Sequence, residues 1–339
     1  MENKKRTLLA VLFLLFCLLG IAALYGQARQ PAEGTGGHSS NRQKVTLIAK
    51  STESAFWKSV FAGASAAGTE YNMELLCQGA DNEEDYKSQN QMIDAAVADG
   101  ADAILFSAID YEENAAAIDR AAESGVRIIV IDSDVNSDQV ECRIGTDNYQ
   151  AGCLAGEAAL DSDASALNVG IVNFDATTEN GQSREKGFRD TIFQDDRVTL
   201  IDSVNSNSTI AAAKEATLQM LAAHPEINVL TTFNEWTTLG VGYAIREAGA
   251  AQRIRLVAFD SNVVSVDMLE TGEVDALVVQ NPYAMGYLGV ESAYKLLTGQ
   301  DSGLAKTVDT FSGDRYLHHA GDQRKHVYRR ISAHPFLLR

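Results

Sequence analysis

Histidine is scarce in the main part of this sequence, and its scarcity limits the chemistry that the chain can perform. Four of the six histidines lie in residues 311–339, and another, His38, lies near the N-terminus. The remaining one, His224, precedes Pro225 at the predicted end of a helix, where a surface position is expected. A catalytic triad that depends on histidine therefore has almost no candidate.

Common catalytic and cofactor motifs are also missing. The sequence contains no G-x-S-x-G nucleophile elbow and no H-E-x-x-H metalloprotease motif. No glycine-rich G-x-G-x-x-G follows the first predicted strand, where residues 51–57 stand instead. These absences argue against a serine hydrolase, a zinc protease and a dinucleotide-binding enzyme, and we expect no cofactor.

Cysteine is rare and carries no metal-binding pattern. Of the four cysteines, Cys17 lies in an apolar N-terminal segment. Cys77, Cys142 and Cys153 lack the spacing of zinc sites, so we expect no metal. These three are predicted to be small buried hydrophobic residues, with a disulfide between Cys142 and Cys153 as the alternative in an exported protein.

Basic residues are too few for a nucleic-acid partner. The sequence has 28 Lys and Arg against 46 Asp and Glu, for a net charge of -18. Phosphate binding needs clustered basic residues, whereas an acidic surface is compatible with a soluble, freely diffusing protein. With 339 residues and a 45% hydrophobic content, the chain is long enough for two domains with sizeable cores.

The N-terminus has the composition of a targeting segment, in which a basic cluster precedes a long apolar run. Residues 1–28 are predicted to be either a cleaved signal peptide or a membrane anchor retained through residues 8–25. Gly26 and Ala28 stand at the weak cleavage positions. A polar linker follows at residues 29–43. Either alternative predicts an exported protein that works in the periplasm or another extracytoplasmic space.

Strand-like and helix-like runs alternate along the rest of the chain, and the pattern restarts near residue 168. The predicted strands cover residues 45–50, 73–77, 103–107, 127–132, 168–173, 198–203, 227–233, 254–259 and 276–279. Strands that are each followed by a helix favour an α/β fold with parallel sheets. The restart predicts two doubly wound parallel-sheet lobes that face each other across a cleft, where small molecules preferentially bind.

Polar and aromatic residues stand repeatedly at the carboxyl ends of these strands, the edge at which α/β sheets bind ligands. They are Glu53, Phe56, Trp57, Ser107, Asp132, Asp134, Asn234, Glu235, Asp260 and Gln280. This set holds aromatics, carboxylates and amides but no cluster of catalytic type. Asp132 and Asp134 are more typical of turns or ligand acceptors than of an acid–base pair.

Several short segments, in their order and spacing, are typical of one family. They are STESAFW at 51–57, GADAI at 100–104, IDSD at 131–134, IGTDN at 144–148, REKGF at 184–188, NE at 234–235, FD at 259–260 and Gln280. Through them, residues 44–310 resemble the ribose-binding-protein group of periplasmic solute-binding proteins, which shares its fold with the ligand domain of lactose-repressor-type regulators. The repressor branch is disfavoured because a targeting segment stands where DNA-binding helices are expected.

The resemblance implies the type I periplasmic-binding-protein fold, in which three chain crossings join two lobes through a hinge. Lobe one is then expected at residues 44–147 plus 281–309, and lobe two at residues 148–280. Hinge closure around the ligand is the expected motion.

The resemblance also implies roles for site residues. Phe56 and Trp57 match aromatics that stack on a sugar ring, whose C–H faces are apolar. The matching polar positions, which bind sugar hydroxyls, are Ser107, Asp132, Asn234, Asp260 and Gln280, with Glu53, Asp134, Gln182 and Arg184 as further ligand-binding candidates. The alternatives are structural: core positions for the two aromatics, helix caps for Asn234 and Asp260, a backbone contact for Gln280, and solvent for Glu53 and Asp134.

Three departures from the ribose-type pattern put ribose itself in doubt. Ser133 stands where the pattern has an arginine after the aspartate, and Gln182 stands at another arginine position, although Arg184 lies close by. A position that often holds an aromatic falls near Ser208. The predicted pocket is therefore rich in carboxylates, and other polyols, larger sugars or a cationic ligand stay open.

The sequence thus predicts an exported, non-enzymatic and monomeric binding protein without nucleic-acid partners. It would capture a small polar ligand, a sugar or polyol, between the lobes and deliver it to an ABC permease. The alternative is a ligand sensor that works with a membrane histidine kinase or chemoreceptor. A sugar-modifying enzyme is the remote alternative.

The end of the chain, residues 310–339, differs in composition from everything before it. Residues 311–339 hold six Lys or Arg, two Asp and no Glu. A shifted reading frame would produce such a change, and the second lobe would then lack a terminal strand. A divergent tail is the alternative.

Overall fold

A computed structural model describes residues 42–300 and 304–310, together with the backbone of residues 315–317. The predicted signal peptide or anchor, most of the linker and the remainder of the tail lie outside the described residues. Within the described part of the chain, no helix is both long and apolar enough to cross a membrane.

Helices and strands alternate along the described chain in an almost regular series. In chain order they are β1 (Lys44–Ala49), α1 (Ala55–Glu70), β2 (Glu74–Gly79), α2 (Tyr86–Ala98), β3 (Ala103–Phe106), α3 (Ala115–Glu123), β4 (Arg127–Ile131), β5 (Cys142–Gly145), α4 (Asn148–Leu160), β6 (Leu167–Asn173), α5 (Glu179–Ile192), β7 (Val198–Asn205), α6 (Ile210–Ala223), β8 (Val229–Thr232), α7 (Glu235–Glu247), β9 (Arg255–Phe259), α8 (Val263–Thr271), β10 (Ala276–Val278), α9 (Pro282–Leu297), β11 (Thr307–Asp309) and β12 (Arg315–Leu317).

The strands form two six-stranded sheets with equivalent topology. The first has the order β11-β5-β4-β3-β1-β2, and the second has the order β12-β10-β9-β8-β6-β7. All pairings are parallel except that of β12 with β10. Apolar side chains from both faces of each sheet pack into separate cores. This burial on both faces explains the continuous apolar runs of the central strands.

Helix α9 follows the last parallel strand of the second sheet but packs against α1, which flanks the first. Their backbones touch at glycines: a Cβ added at Gly63 would lie 2.0 Å from the Tyr283 carbonyl oxygen, and one at Gly286 would lie 2.0 Å from that of Val60. The chain therefore returns to the first lobe. This connectivity supports the division that we propose, with residues 44–147 and 281–309 in lobe one and 148–280 in lobe two.

The tail contributes one short strand to the second sheet. The backbone of β12 pairs antiparallel with β10, so the expectation that a shifted reading frame leaves this lobe without a terminal strand is wrong for residues 315–317. A three-residue edge strand depends on backbone hydrogen bonds, which place few demands on side-chain identity. The other residues after Thr310 lie outside the described part of the chain.

The three described cysteines are all free thiols, so the alternative of a disulfide between Cys142 and Cys153 is wrong. Cys142 is buried in β5, where its thiol contacts the Ala305 carbonyl oxygen at 3.2 Å, whereas Cys153 lies on α4 of the other lobe.

Candidate functional site

Each lobe turns one aspartate toward the cleft from an unusual backbone conformation. Asp132 follows β4 with φ 61°, and Asp260 follows β9 with φ 68°, both in the left-handed region that non-glycine residues seldom adopt. β4 and β9 hold the same place in the strand orders of their sheets. Such strain persists where the surrounding structure imposes it and is concentrated at functional sites. The two aspartates therefore hold equivalent places in the two lobes.

The cleft between the lobes, together with its opening to solvent, holds about 320 Å³ of space that protein atoms do not fill. Its lining from lobe one is Lys50, Ser54, Phe56, Trp57, Glu83 and Asp132, and from lobe two it is Phe174, Asn180, Arg184, Asn234, Glu235, Trp236, Asp260 and Gln280. The lining thus brings together seven of the residues predicted from the sequence, namely Phe56, Trp57, Asp132, Arg184, Asn234, Asp260 and Gln280.

Four predicted residues do not line the cleft. Glu53 and Gln182 are exposed to solvent. Asp134 is turned away from the cleft because the Arg143 guanidinium donates to both of its carboxylate oxygens, at 2.9 and 2.8 Å. Ser107 is fully buried behind the lining, where its hydroxyl donates to Asp132 Oδ2 at 3.1 Å. Ser107 therefore orients Asp132 from behind.

Lys50 supplies a cation beside Asp132 that the sequence did not reveal. Its Nζ lies 3.7 Å from Asp132 Oδ2 and 5.4 Å above the ring centroid of Phe174, and its side chain is only 4% exposed. Lys50, directly after β1, thus supplies a positive charge beside Asp132, while position 133 holds a buried serine. Lys50 could have been found from the sequence, because it is a charged residue directly after a buried strand, at the edge where such sheets bind ligands.

Arg184 is the arginine of the cleft, while Gln182 on the same helix faces solvent. The guanidinium of Arg184 donates to Asn148 Oδ1 at 2.9 Å, to the Phe233 carbonyl oxygen at 2.7 Å and to Gln280 Oε1 at 2.7 Å. It also lies 5.1 Å over the Phe259 ring. These contacts hold Arg184 in place and occupy three of the five N–H donors of its guanidinium.

Gln280 connects the hinge to the site through its side chain. Its Oε1 accepts from Thr146 Oγ1 at 2.7 Å as well as from Arg184, and its Nε2 donates to Asp260 Oδ1 at 2.7 Å. Thr146 follows β5 and Gln280 follows β10, which hold equivalent places in the two sheets. Gln280 therefore bonds to three side chains, and the alternative that it contacts only backbone is wrong.

The two aromatic residues at the start of α1 differ in burial. Trp57 is 1% exposed and belongs to the core of lobe one, although its edge reaches the cleft. Its Nε1 donates to Glu83 Oε1 at 3.1 Å, and Glu83 was not predicted from the sequence. Phe56 is half-buried and meets Trp57 edge-on at 5.1 Å between ring centroids. Phe56 is thus the aromatic better placed to stack on a ligand.

The helix-capping alternatives have different outcomes for the two candidates. Asn234 does cap α7, because its Oδ1 accepts from Thr237 N at 2.9 Å, but its Nδ2 donates to Ser208 Oγ in the cleft region at 2.8 Å. Helix α8 is capped by Asn262 instead of Asp260. The carboxylate of Asp260 is therefore directed into the cleft.

Burial has the largest effect on the pKa of Asp260. Removal from water raises the pKa of this carboxyl from 3.8 to about 6, against the opposing effects of the Arg184 charge and the Gln280 hydrogen bond. The negative charges of Glu235 and Asp132 add to the increase. In the closed cleft Asp260 is thus an under-solvated acceptor, which a ligand donor would satisfy.

This shifted pKa predicts how the stability of the ligand-free protein depends on pH. Because folded Asp260 holds its proton more tightly than the unfolded chain does, the contribution of Asp260 to stability should fall as pH rises from about 4 to about 6, by roughly 3 kcal/mol in total. Urea unfolding at several pH values measures this slope. Asp260→Asn should flatten it, and an identical profile in the variant would show that another group is responsible.

The chemistry of this lining suits a polyhydroxylated molecule. Carboxylate and amide oxygens accept from hydroxyls, an ammonium donates to them, and aromatic rings cover apolar C–H faces. Among the described residues, no group of three or more His, Cys, Asp or Glu side chains is arranged to hold a metal ion. Two sheet lobes joined by a hinge, with a polar and aromatic cleft between them, define a solute-binding class of protein.

Comparison with known proteins assigns the family. The sequence model of the family described as periplasmic binding protein domain matches residues 45–301. The chain therefore belongs to the periplasmic binding protein family. The D-ribose/D-allose-binding protein of Pseudomonas aeruginosa is 26% identical over 278 residues, which cover 80% of this chain and 87% of the relative.

Solved structures give the same assignment. A carbohydrate transporter solute-binding protein from Agrobacterium radiobacter, in complex with D-arabinose, has a TM-score of 0.77 at 28% identity and covers 80% of this chain and 93% of its own. The periplasmic component of an ABC-type sugar transport system from Hahella chejuensis has a TM-score of 0.76 at 30% identity, with 79% and 97% covered. The predicted fold and the predicted class, a periplasmic-type solute-binding protein and not an enzyme, are confirmed.

Proposed function

We propose that this protein captures a single-ring sugar or polyol between its lobes and delivers it to an ABC permease. The observation that carries the proposal is the pair of strained aspartates, Asp132 and Asp260, which line the same cleft from opposite lobes. A ligand that donates hydroxyls in two directions satisfies both carboxylates at once. Such a ligand can be bound fully only when the lobes are closed.

The unused hydrogen-bonding capacity of the cleft supports a neutral polyhydroxylated ligand. Among the described residues, no acceptor lies within hydrogen-bond distance of Lys50 Nζ, whose nearest carboxylate oxygen is at 3.7 Å. Asp260 Oδ1 accepts from Gln280, while its second oxygen has no donor in the described part of the chain. One hydroxyl that accepts from Lys50 and another that donates to Asp260 complement these groups, as vicinal sugar hydroxyls do.

The names of the curated relatives favour a role in import over a role in sensing. Curated relatives include the ribose import binding protein of Bacillus subtilis, at 23% identity, and the D-apiose import binding protein of Paraburkholderia graminis, at 25%. We therefore propose a monomeric, exported carrier that is either released from or anchored to the membrane, with a permease as its partner. Presentation of the ligand to a sensor kinase is the alternative.

A melting screen with D-ribose, D-allose, D-arabinose, polyols and amines tests the proposal. We expect one sugar or polyol to raise the melting temperature, since a ligand at 100 times its Kd stabilises by about 2.7 kcal/mol. Stabilisation by an amine and by no sugar would contradict the proposal. Chemical conversion of the stabilising sugar would identify an enzyme instead.

Lys50→Met tests the contribution of the buried ammonium. We expect the affinity for the stabilising sugar to fall by about tenfold or more, because a hydrogen bond to a charged group contributes roughly 1.5–3 kcal/mol. Lys58→Met, which removes an exposed ammonium from α1, is the matched control and should bind normally. Calorimetric titration measures both, and equal affinities in the two variants would exclude Lys50 from the site.

A further inference from the structure

The first turn of α1 lacks a complete set of hydrogen-bond acceptors within its own lobe. The first backbone N–H groups of a helix have no intrahelical partner. Ser54 caps the helix and its Oγ accepts from Trp57 N at 3.2 Å, but no acidic residue occupies the first turn. The N–H groups of Ala55 and Phe56 therefore need an acceptor from elsewhere.

That acceptor is Glu235, which opens α7 in the opposite lobe. Its Oε1 accepts from Ala55 N at 3.2 Å and its Oε2 accepts from Phe56 N at 3.0 Å. The residue is only 7% exposed. One carboxylate thus joins lobe two to the helix start from which Phe56 projects into the cleft.

A second contact between the lobes converges on the same helix turn. Ser208 Oγ of lobe two donates to Glu83 Oε2 at 2.9 Å, and the other oxygen of Glu83 accepts from the Trp57 indole. Backbone and side chain of this turn are therefore each connected to lobe two by a separate carboxylate.

We propose that Glu235 is a positioning residue that draws the lobes together before a ligand arrives and fixes Phe56 over the cleft. When the lobes are apart, water hydrates both the carboxylate and the two N–H groups. When they close, the carboxylate exchanges its hydration for two charge-assisted hydrogen bonds at the positive end of the α1 dipole. A buried carboxylate without these partners would be costly, so closure is favourable only when Glu235 is aligned with both N–H groups.

Amide hydrogen exchange at residue resolution, with no ligand added, tests this role. In Glu235→Gln, the amides of Ala55 and Phe56 should exchange about tenfold faster than in the unsubstituted protein, since the variant keeps one uncharged acceptor oxygen. Trp57 N should exchange at an unchanged rate, because its acceptor, Ser54, belongs to the same lobe. The radius of gyration from small-angle scattering should increase in the same variant.

Glu84→Gln is the matched control, because it removes one exposed carboxylate next to Glu83 without touching the helix start. It should exchange like the unsubstituted protein at Ala55 and Phe56. Equal rates at these two amides in Glu235→Gln and the unsubstituted protein would overturn the proposal. Faster exchange of Trp57 N by the same factor would overturn it too, by indicating a local loss of structure. Protection of the amides in a protein that binds no sugar would refute the proposed function alone.

Discussion

Replacing Trp57 by alanine is expected to lower the free energy of unfolding by about 3–5 kcal/mol. The side chain is 1% exposed, packs in the core of lobe one and donates to Glu83. Its removal therefore leaves a cavity and an unpaired buried carboxylate oxygen in the same place. Urea unfolding monitored by circular dichroism measures the loss.

Phe56→Ala is the matched comparison, because Phe56 is the neighbouring aromatic and is only half-buried. It should lose clearly less stability than Trp57→Ala and should chiefly weaken ligand binding. If both variants unfold at the same urea concentration as the unsubstituted protein, then Trp57 does not contribute to the core as described.

Asp260→Asn is expected to weaken binding of the sugar by about 10–100-fold while stabilising the ligand-free protein at neutral pH. The loss of affinity follows from replacing a charged acceptor, whose hydrogen bonds contribute roughly 1.5–3 kcal/mol each. The gain in stability follows because burial raises the pKa of Asp260 to about 6, so that its charge at pH 7 opposes folding. Calorimetric titration and urea unfolding measure the two effects.

Asp134→Asn serves as the comparison for Asp260→Asn, since Asp134 is an aspartate outside the cleft that pairs with Arg143. It should leave sugar affinity unchanged. Sugar affinity that stays normal in Asp260→Asn, or falls equally in both variants, would contradict the assignment of Asp260 to the site.

Most of the parallel strands could be predicted closely because their physics is local, whereas the short strands β5 and β11 were not predicted. The strand predicted at residues 127–132 is observed as Arg127–Ile131, and the one predicted at 254–259 is observed as Arg255–Phe259. Strands that are buried on both faces need continuous apolar side chains, and the flanking polar residues define their ends.

Helix α4 was not predicted, because it lacks the usual one-sided pattern. Small residues such as Ala151, Gly152 and Ala155 are buried around much of its surface. Gly152 lies so close to α5 that a Cβ there would be 2.1 Å from the Arg184 carbonyl oxygen. Burial of this kind depends on which helices meet in three dimensions, and that information is not periodic in the sequence.

The residues of the site also divide into those that the local sequence predicts and those that it does not. Asp132 and Asp260 follow strands directly, and Phe56 lies at the start of the helix that follows β1, so the rule for parallel sheets is sufficient to find them. Glu83, in the loop before α2, and Asn180, in the first turn of α5, approach the cleft because the two lobes meet there, as in the contact of Asn180 Nδ2 with Asp132 Oδ2 at 3.3 Å. Their roles depend on lobe closure, which no local pattern encodes.

Calorimetric titration of the stabilising sugar against the Asp132→Ala, Asp260→Ala double variant tests most directly whether a ligand bridges the lobes. Each substitution removes the strained aspartate of one lobe. The unsubstituted protein should bind one sugar per chain, and the double variant, with its circular dichroism spectrum unchanged, should show no saturable heat. Unaltered affinity in the folded double variant, or no binding of any sugar by the unsubstituted protein, would contradict the account.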